Sequence, residues 1–270
     1  MQLERKREAF EERGVNIAAI SNDKREALGA FAQRAGIGFP LLSDPDSEII
    51  RAFGVLNDDV PESHQFYGIP HPVEFLLGPD RKVAEKFHET SYRDRFTAGR
   101  VLVRQLGSNA GGARTQARTS HLKVTAWASD ESIRGGNRFA LVLDIDLNDK
   151  MHVYAPEVAG YIPIAWSMDE GSGLTHYEAE FPQAQTLHLP AIDERVPVYE
   201  GSFRLVRDVM IGQPNQLGDL LQDGALKLKG SLRYQACDDK VCYLPTDVPL
   251  EWTLRFEQHD RTRVPEALRR

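Results

Sequence analysis

Cysteine is scarce in this sequence: Cys237 and Cys242 are the only two among 270 residues. That excludes a disulfide-dense small fold and a four-cysteine zinc site, and leaves one disulfide or one redox pair. An excess of positive charge is also lacking. Lys and Arg number 33 against 40 Asp and Glu, for a formal net charge of −7. Nucleic acids and anionic membranes need concentrated Lys and Arg, so no nucleic-acid partner is expected. No apolar run approaches the ~20 residues of a membrane helix, so no membrane insertion by this chain is expected. The opening Met1-Gln2-Leu3-Glu4-Arg5-Lys6-Arg7 lacks an apolar signal core, so the chain as written carries no secretory signal peptide. No Walker or dinucleotide fingerprint occurs. His88-Glu89-Thr90-Ser91-Tyr92 has Tyr92 where a zincin needs its second His. Ser21-Asn22-Asp23-Lys24 has Ser-x-x-Lys spacing without the other motifs of that enzyme class. Neither a metal nor a cofactor is expected.

What is present divides in two. The first hundred residues alternate helix-like and strand-like segments. A helix over 1–13 ends at Gly14, and Val15-Asn16-Ile17-Ala18-Ala19-Ile20 reads as a buried strand. Ser21-Asn22-Asp23 is placed to cap a helix bearing Leu28, Phe31 and Ala32. Phe39 to Leu42 reads as a strand, and Ser43-Asp44-Pro45 starts a helix through Phe53. Val73–Leu77 and Lys82–Phe87 form a hairpin pattern around Gly78-Pro79-Asp80. Residues 94–106 make a closing helix, with Tyr92-Arg93-Asp94-Arg95 as its solvated start. This order predicts an α/β layer fold for residues 1–107. Residues 108–119, rich in Gly and polar side chains, read as a flexible linker. From residue 120 the apolar period becomes two: Phe139, Leu141, Leu143, Ile145 and Leu147 alternate, as do Leu250, Trp252, Leu254 and Phe256. Many short strands without helices predict an all-β sandwich over 120–258. Residues 259–270 form a polar tail.

The informative stretch is Tyr234-Gln235-Ala236-Cys237-Asp238-Asp239-Lys240-Val241-Cys242-Tyr243-Leu244-Pro245. It joins two predicted strands through four residues, a common hairpin length that sets Cys237 opposite Cys242 at a spacing suited to a disulfide. A bond closing so small a loop stabilises by only about 2 kcal/mol. A tight hairpin pair is, however, easy for a partner thiolate to reach. Asp238 and Asp239 disfavour a thiolate and Lys240 offsets this in part, which suits exchange with a protein partner. A structural disulfide and two unlinked thiols remain alternatives.

The segments Tyr-Gln-Ala-Cys…Cys-Tyr-Leu-Pro and Val248-Pro249-Leu250 resemble the N-terminal domain family of the thiol:disulfide interchange protein DsbD. That resemblance covers about residues 120–256 and implies an immunoglobulin-like sandwich whose cysteine pair passes electrons. Asn148-Asp149-Lys150-Met151-His152-Val153-Tyr154-Ala155-Pro156 matches the family's early aromatic strand. Val196-Pro197-Val198-Tyr199-Glu200-Gly201-Ser202-Phe203 sits at its cap loop. The resemblance implies Cys237 and Cys242 as catalytic residues, Val198 and Tyr199 as their cap, and His152 and Tyr154 as flanking residues. It also implies a periplasmic or other extracytoplasmic location and a thioredoxin-like thiol or disulfide protein as partner.

In the first half, Val15 to Asp23, Phe39-Pro40-Leu41-Leu42-Ser43-Asp44-Pro45 and Gly68-Ile69-Pro70-His71-Pro72-Val73-Glu74-Phe75 resemble the peroxiredoxin (AhpC/TSA) branch of the thioredoxin-like fold. By that resemblance Pro72 is the candidate cis-proline beside the active site. The family's catalytic cysteine opens the helix in which Met1 stands, and residues 1–120 hold no cysteine. The first domain is therefore expected to be N-terminally truncated, with peroxidase chemistry not assigned to it. The whole reads as a thiol–disulfide redox protein, with a non-catalytic adaptor stapled by a structural disulfide as the alternative.

Overall fold

The computed structural model describes residues 2–88, 91, 94–189, 193–260, 262 and 265. Tyr92 and Arg93 lie outside the described residues, as does most of the terminal tail; Asp94 and Arg95 are described and precede the closing helix, which begins at Ala98 rather than at 94 because Thr97 caps it. Two compact units divide the chain: residues 1–108 with 259–270, and residues 109–258.

The first unit contains α1 (Gln2–Glu11), β1 (Ala19–Ser21), α2 (Arg25–Ala35), β2 (Leu41–Ser43), α3 (Glu48–Ala52), β3 (Val73–Leu77), β4 (Val83–His88), β5 (Arg95–Phe96) and α4 (Ala98–Leu106). β1 and β2 pair in parallel, and β3 and β4 form the expected antiparallel hairpin. Phe10 of α1, Phe87 of β4 and Val101 and Leu102 of α4 make a small core, which Val15, Ile17 and Leu76 border. Helix ends follow local chemistry. α4 starts at Thr97, whose hydroxyl accepts from the Arg100 N–H, and stops at Gly107 in the left-handed region.

Three expectations need correction here. Ser21-Asn22-Asp23 does not cap α2: Lys24 occupies the N-cap without a side-chain bond, and the Ser21 hydroxyl turns to the Asp23 carboxylate instead. The helix expected from Ser43 is a single turn or so, because Asp44 closes a loop first, taking the Glu48 and Ile50 N–H groups on its two carboxylate oxygens. No cis peptide bond occurs among the described residues, so Pro72 is trans. It enters β3 as an ordinary strand-entry proline, at a place where no N–H is required.

The second unit contains β6 (Thr115–Arg118), β7 (Leu122–Ala128), β8 (Ser132–Ile133), β9 (Asn137–Leu147), β10 (His152–Tyr154), β11 (Ala165–Met168), β12 (Leu174–Glu180), β13 (Gln185–Leu189), β14 (Glu194–Glu200), β15 (Ser202–Ile211), β16 (Leu221–Gln222), β17 (Ala225–Tyr234), β18 (Ala236–Cys237) and β19 (Thr246–Phe256). One sheet runs β12-β15-β9-β7-β6 and a second runs β11-β17-β19-β8. Their inner faces close a single core, with Phe139, Leu141, Leu143 and Ile145 of β9 meeting Leu226, Leu228, Leu232 and Trp252. A third, smaller sheet, β13-β14-β10-β18, carries the cysteine end of the unit.

The expected linker is partly structured. Thr115–Arg118 is a strand paired with β7, and the stretch before it is pinned to the same sheet. The Gly112 N–H donates to the Ala128 carbonyl at 2.7 Å. A Cβ on Gly111 would fall 2.3 Å from the Ala128 oxygen and 2.5 Å from the Trp127 ring. Glycine is required there because the backbone itself covers the outward-facing Trp127, over which Arg114 also stacks at 4.4 Å. In the tail, Asp260 pairs with Arg34 of α2 at 3.0 Å.

Candidate functional site

β18 is two residues long, and Cys237 at its end forms an isolated antiparallel bridge with Cys242. The two are disulfide-bonded, with Cα atoms 4.0 Å apart. Asp238 holds the intervening loop. Its carboxylate accepts from the N–H groups of Lys240 and Val241, both at 2.8 Å, and from the Tyr243 hydroxyl at 2.8 Å. These donors, the backbone ones foremost, keep the Asp238 carboxyl below its ordinary value. The same bond raises the Tyr243 hydroxyl. The two residues differ in access: Cys237 is buried, and Cys242 is exposed.

Strand alternation sorts the neighbours into two sets. β10 lies between β14 and β18, with Val153 opposite Tyr199 on one side and Ala236 on the other. Those three residues face the sandwich core. The residues between them face the other way. Tyr154, Val196, Val198 and Cys237 form a separate buried cluster, bordered by Tyr161, Leu187 and Leu189. The Tyr154 hydroxyl stands 3.7 Å from each sulfur. A disulfide sulfur carries no proton, so this hydroxyl is the donor. Burial, with a smaller push from Glu194, raises its ionisation above the ordinary phenol value. His152 is directly opposite Cys237 in the register and is buried, and burial lowers its basicity against the opposing pull of Glu200, Asp239 and Asp238.

Of the expected site residues, the structure brings together Cys237, Cys242, His152, Tyr154 and Val198. It does not bring Tyr199 to the sulfurs: that ring stacks on Phe203 and Phe181 in the core, and its hydroxyl donates to the Pro182 carbonyl. Adjacent residues of one strand cannot both face the disulfide. Pro72 lies in the first unit, in the wall of a cavity of about 180 Å³ with Glu74, Phe87, Arg95 and Phe96.

Sequence reasoning missed two participants. Tyr161 stacks on Tyr154 with ring centres 4.3 Å apart and is held by a hydrogen bond from its hydroxyl to Glu194 at 2.8 Å, which pushes the phenol up to about 12. Only its place seven residues after Tyr154, beyond a turn, could have signalled it. Glu200 stands opposite His152 on the other strand edge. The register of β14, which no motif fixes, determines that. Among the described residues, no group of three or more His, Cys, Asp or Glu side chains could hold a metal ion. No helix among them is long and apolar enough to cross a membrane.

Residues 1–86 match the model of the AhpC/TSA family, and residues 123–250 match that of the N-terminal part of the thiol:disulfide interchange protein DsbD. Over 76 residues the chain is 36% identical to peroxiredoxin Bcp of Escherichia coli K12, covering 28% of this chain and 48% of that protein. Over 74 residues it is 42% identical to the putative peroxiredoxin Rv2521 of Mycobacterium tuberculosis, covering 27% of this chain and 46% of that protein. The chain thus spans about half the length of the curated relatives it matches. Among solved structures, the N-terminal periplasmic domain of ScsB from Proteus mirabilis is similar at 16% identity and a TM-score of 0.38, over 52% of this chain and 51% of that one. The reduced DsbD N-terminal domain of Neisseria meningitidis is similar at 19% identity and a TM-score of 0.27, over 43% and 78%. Peroxiredoxin-like and DsbD-N-like regions together with a disulfide point to a thiol–disulfide redox role.

Proposed function

We propose that the second unit, read as an immunoglobulin-like sandwich, exchanges electrons with protein thiols through Cys237 and Cys242. The observation that carries this reading is the asymmetry of the pair: one cysteine exposed at a hairpin, its mate buried behind it under a hydroxyl donor. A partner thiolate attacks the Cys242 sulfur, the Cys237–Cys242 bond breaks, and Cys237 leaves as a thiolate that takes up a proton. The second thiol of a dithiol partner then attacks the mixed disulfide. This releases the partner oxidised and the pair reduced by two electrons and two protons. Tyr154 donates to whichever sulfur bears charge, and Val198 packs against Cys237 from the cap strand.

The large exposed apolar side chains of this unit, Val241, Leu244 and Ile162, flank Cys242 and Tyr161 in the sequence. Exposed apolar side chains on either side of Cys242 in the chain suit contact with an apolar patch of a thioredoxin-like partner. The first unit is read as the peroxide- or disulfide-reducing half that this pair recharges. Residues 1–120 contain no cysteine, so its thiol comes from outside those residues. The reading includes a periplasmic or other extracytoplasmic location, where disulfides persist.

The test is the reduction potential of Cys237/Cys242 in glutathione or dithiothreitol buffers, with free thiols counted by mass tagging. A value between about −180 and −270 mV is expected of a working exchanger. A value below about −300 mV with slow exchange would make the bond structural and the unit an adaptor.

A further inference from the structure

The small sheet carries a row of three side chains on one face. β14, β10 and β18 are consecutive neighbours, and in their register Glu200 stands opposite His152, which stands opposite Cys237. Directly opposed residues of antiparallel strands project to the same side, with Cα atoms about 4.5–5.5 Å apart. A carboxylate, an imidazole and a cysteine sulfur therefore follow one another across the sheet. The imidazole is buried, and its Nε2 has no hydrogen-bond partner among the described residues. A buried polar nitrogen left unpaired costs stability, so its retention calls for a state in which it is used. In the oxidised pair the nitrogen is unused: the disulfide has no proton to give it and makes no hydrogen bond with it. The reduced state offers it a use: it places an S–H on Cys237, in the row with the ring.

We propose that His152 is the base for the Cys237 thiol in the oxidative half of the exchange, with Glu200 orienting and stabilising the imidazolium. This rests on the exchange reading above. In the mixed disulfide between Cys242 and a partner, the Cys237 S–H gives its proton to His152. The Cys237 thiolate attacks the Cys242 sulfur, the Cys237–Cys242 bond forms, and the bond from Cys242 to the partner breaks. The partner leaves as a thiolate and receives the proton from His152, directly or through solvent. The pair is thereby oxidised by two electrons and the partner disulfide reduced to two thiols. Without such a base, Cys237 would have to ionise while buried near Asp238 and Asp239, both of which oppose a thiolate.

The groups facing His152 are Glu200 from β14, Cys237 with Asp238 and Asp239 from β18 and its loop, and Tyr154 from its own strand, whose ring meets it edge-on at 5.6 Å. Burial keeps the imidazole below its ordinary basicity, so it is neutral and able to accept a proton near pH 7.

The experiment follows the reduced full chain reacting with Ellman's disulfide across pH 5–9. The first thionitrobenzoate released marks attack by Cys242, and the second marks ring closure by Cys237. In His152→Gln, closure at pH 7 is expected to slow at least about a hundredfold, the low end for a lost general base, while the first release is unchanged. The wild-type inflection, expected below the ordinary imidazole range because burial lowers His152, should disappear, and Glu200→Gln should move it with a smaller loss. His176→Gln, on β12, serves as the control. Closure with the same rate and pH profile in His152→Gln would overturn the assignment while leaving exchange intact. A wild-type chain that never releases the second thionitrobenzoate would instead overturn the exchange reading.

Should His152→Gln fail to fold, the wild-type ring can be titrated by NMR in the oxidised and reduced chain. Different midpoints in the two states support the proposal, and identical midpoints refute it.

Discussion

The two units bury apolar surface in different ways. In the sandwich, both long sheets turn their alternate side chains into one continuous core, and even the outward Trp127 is covered. Its large exposed apolar residues are confined to Ile162, Val241 and Leu244 among the described residues. The first unit has a small core around Phe10 and Leu102, its strands pair only two by two within the unit, and Ile20, Leu42, Ile49, Phe53, Phe66, Leu77 and Val83 stay exposed. Stability scales with the apolar area withdrawn from water, and unpaired strand edges invite association. The sandwich is therefore a self-sufficient platform for the disulfide. The α/β unit leaves much of its apolar pattern unused.

The sharpest way to break this contrast is a pair of equal truncations. Leu143→Ala in the sandwich core should cost about 2–5 kcal/mol in denaturant unfolding, whereas Leu77→Ala at an exposed strand end should stay within about 0.5 kcal/mol. Comparable losses would mean that the first unit is as well packed as the second.

A smaller effect, about 1–3 kcal/mol, is expected for Gly111→Ala, because the new methyl group meets the Ala128 carbonyl and the Trp127 ring. An unperturbed midpoint would return residues 108–114 to the status of a loose linker.

In the first unit, Thr97→Ala removes the cap of α4 and should cost about 1 kcal/mol, read as earlier exchange of the α4 amides while the sandwich amides stay protected.

The gentlest probe is pH. Burial pushes the Glu74 carboxyl up to about 7, with Arg95 and Arg100 pulling the other way. An acid with a raised folded-state value favours the folded state when protonated. This unit should therefore lose stability as pH rises from the ordinary carboxylate range through 7, and Glu74→Gln should flatten that dependence. Thermal melts at pH 5 and 8 decide it.

The contrast also explains what the sequence made legible. The alternating runs of β9, β17 and β19 announce the sandwich, because one face buried over ten residues leaves a period that nothing else imitates. The hairpin at Gly78 is equally plain. The β1 segment is less so: Val15 and Ile17 look like strand residues but serve the small core, and pairing begins only at Ala19. At the site, local chain proximity gave the cysteine pair, and the resemblance gave His152, Tyr154 and Val198. Tyr199 failed because strand parity sends it to the core. Glu200 and Tyr161 stayed hidden because they reach the site through strand register and loop return, which are long-range properties.

One consequence lies in the position of the Tyr154 hydroxyl, equally distant from both sulfurs. In the proposed exchange, negative charge appears on the Cys237 sulfur as the bond opens and leaves it as the bond closes. A donor within reach of both sulfurs follows that change by a small rotation of its own proton.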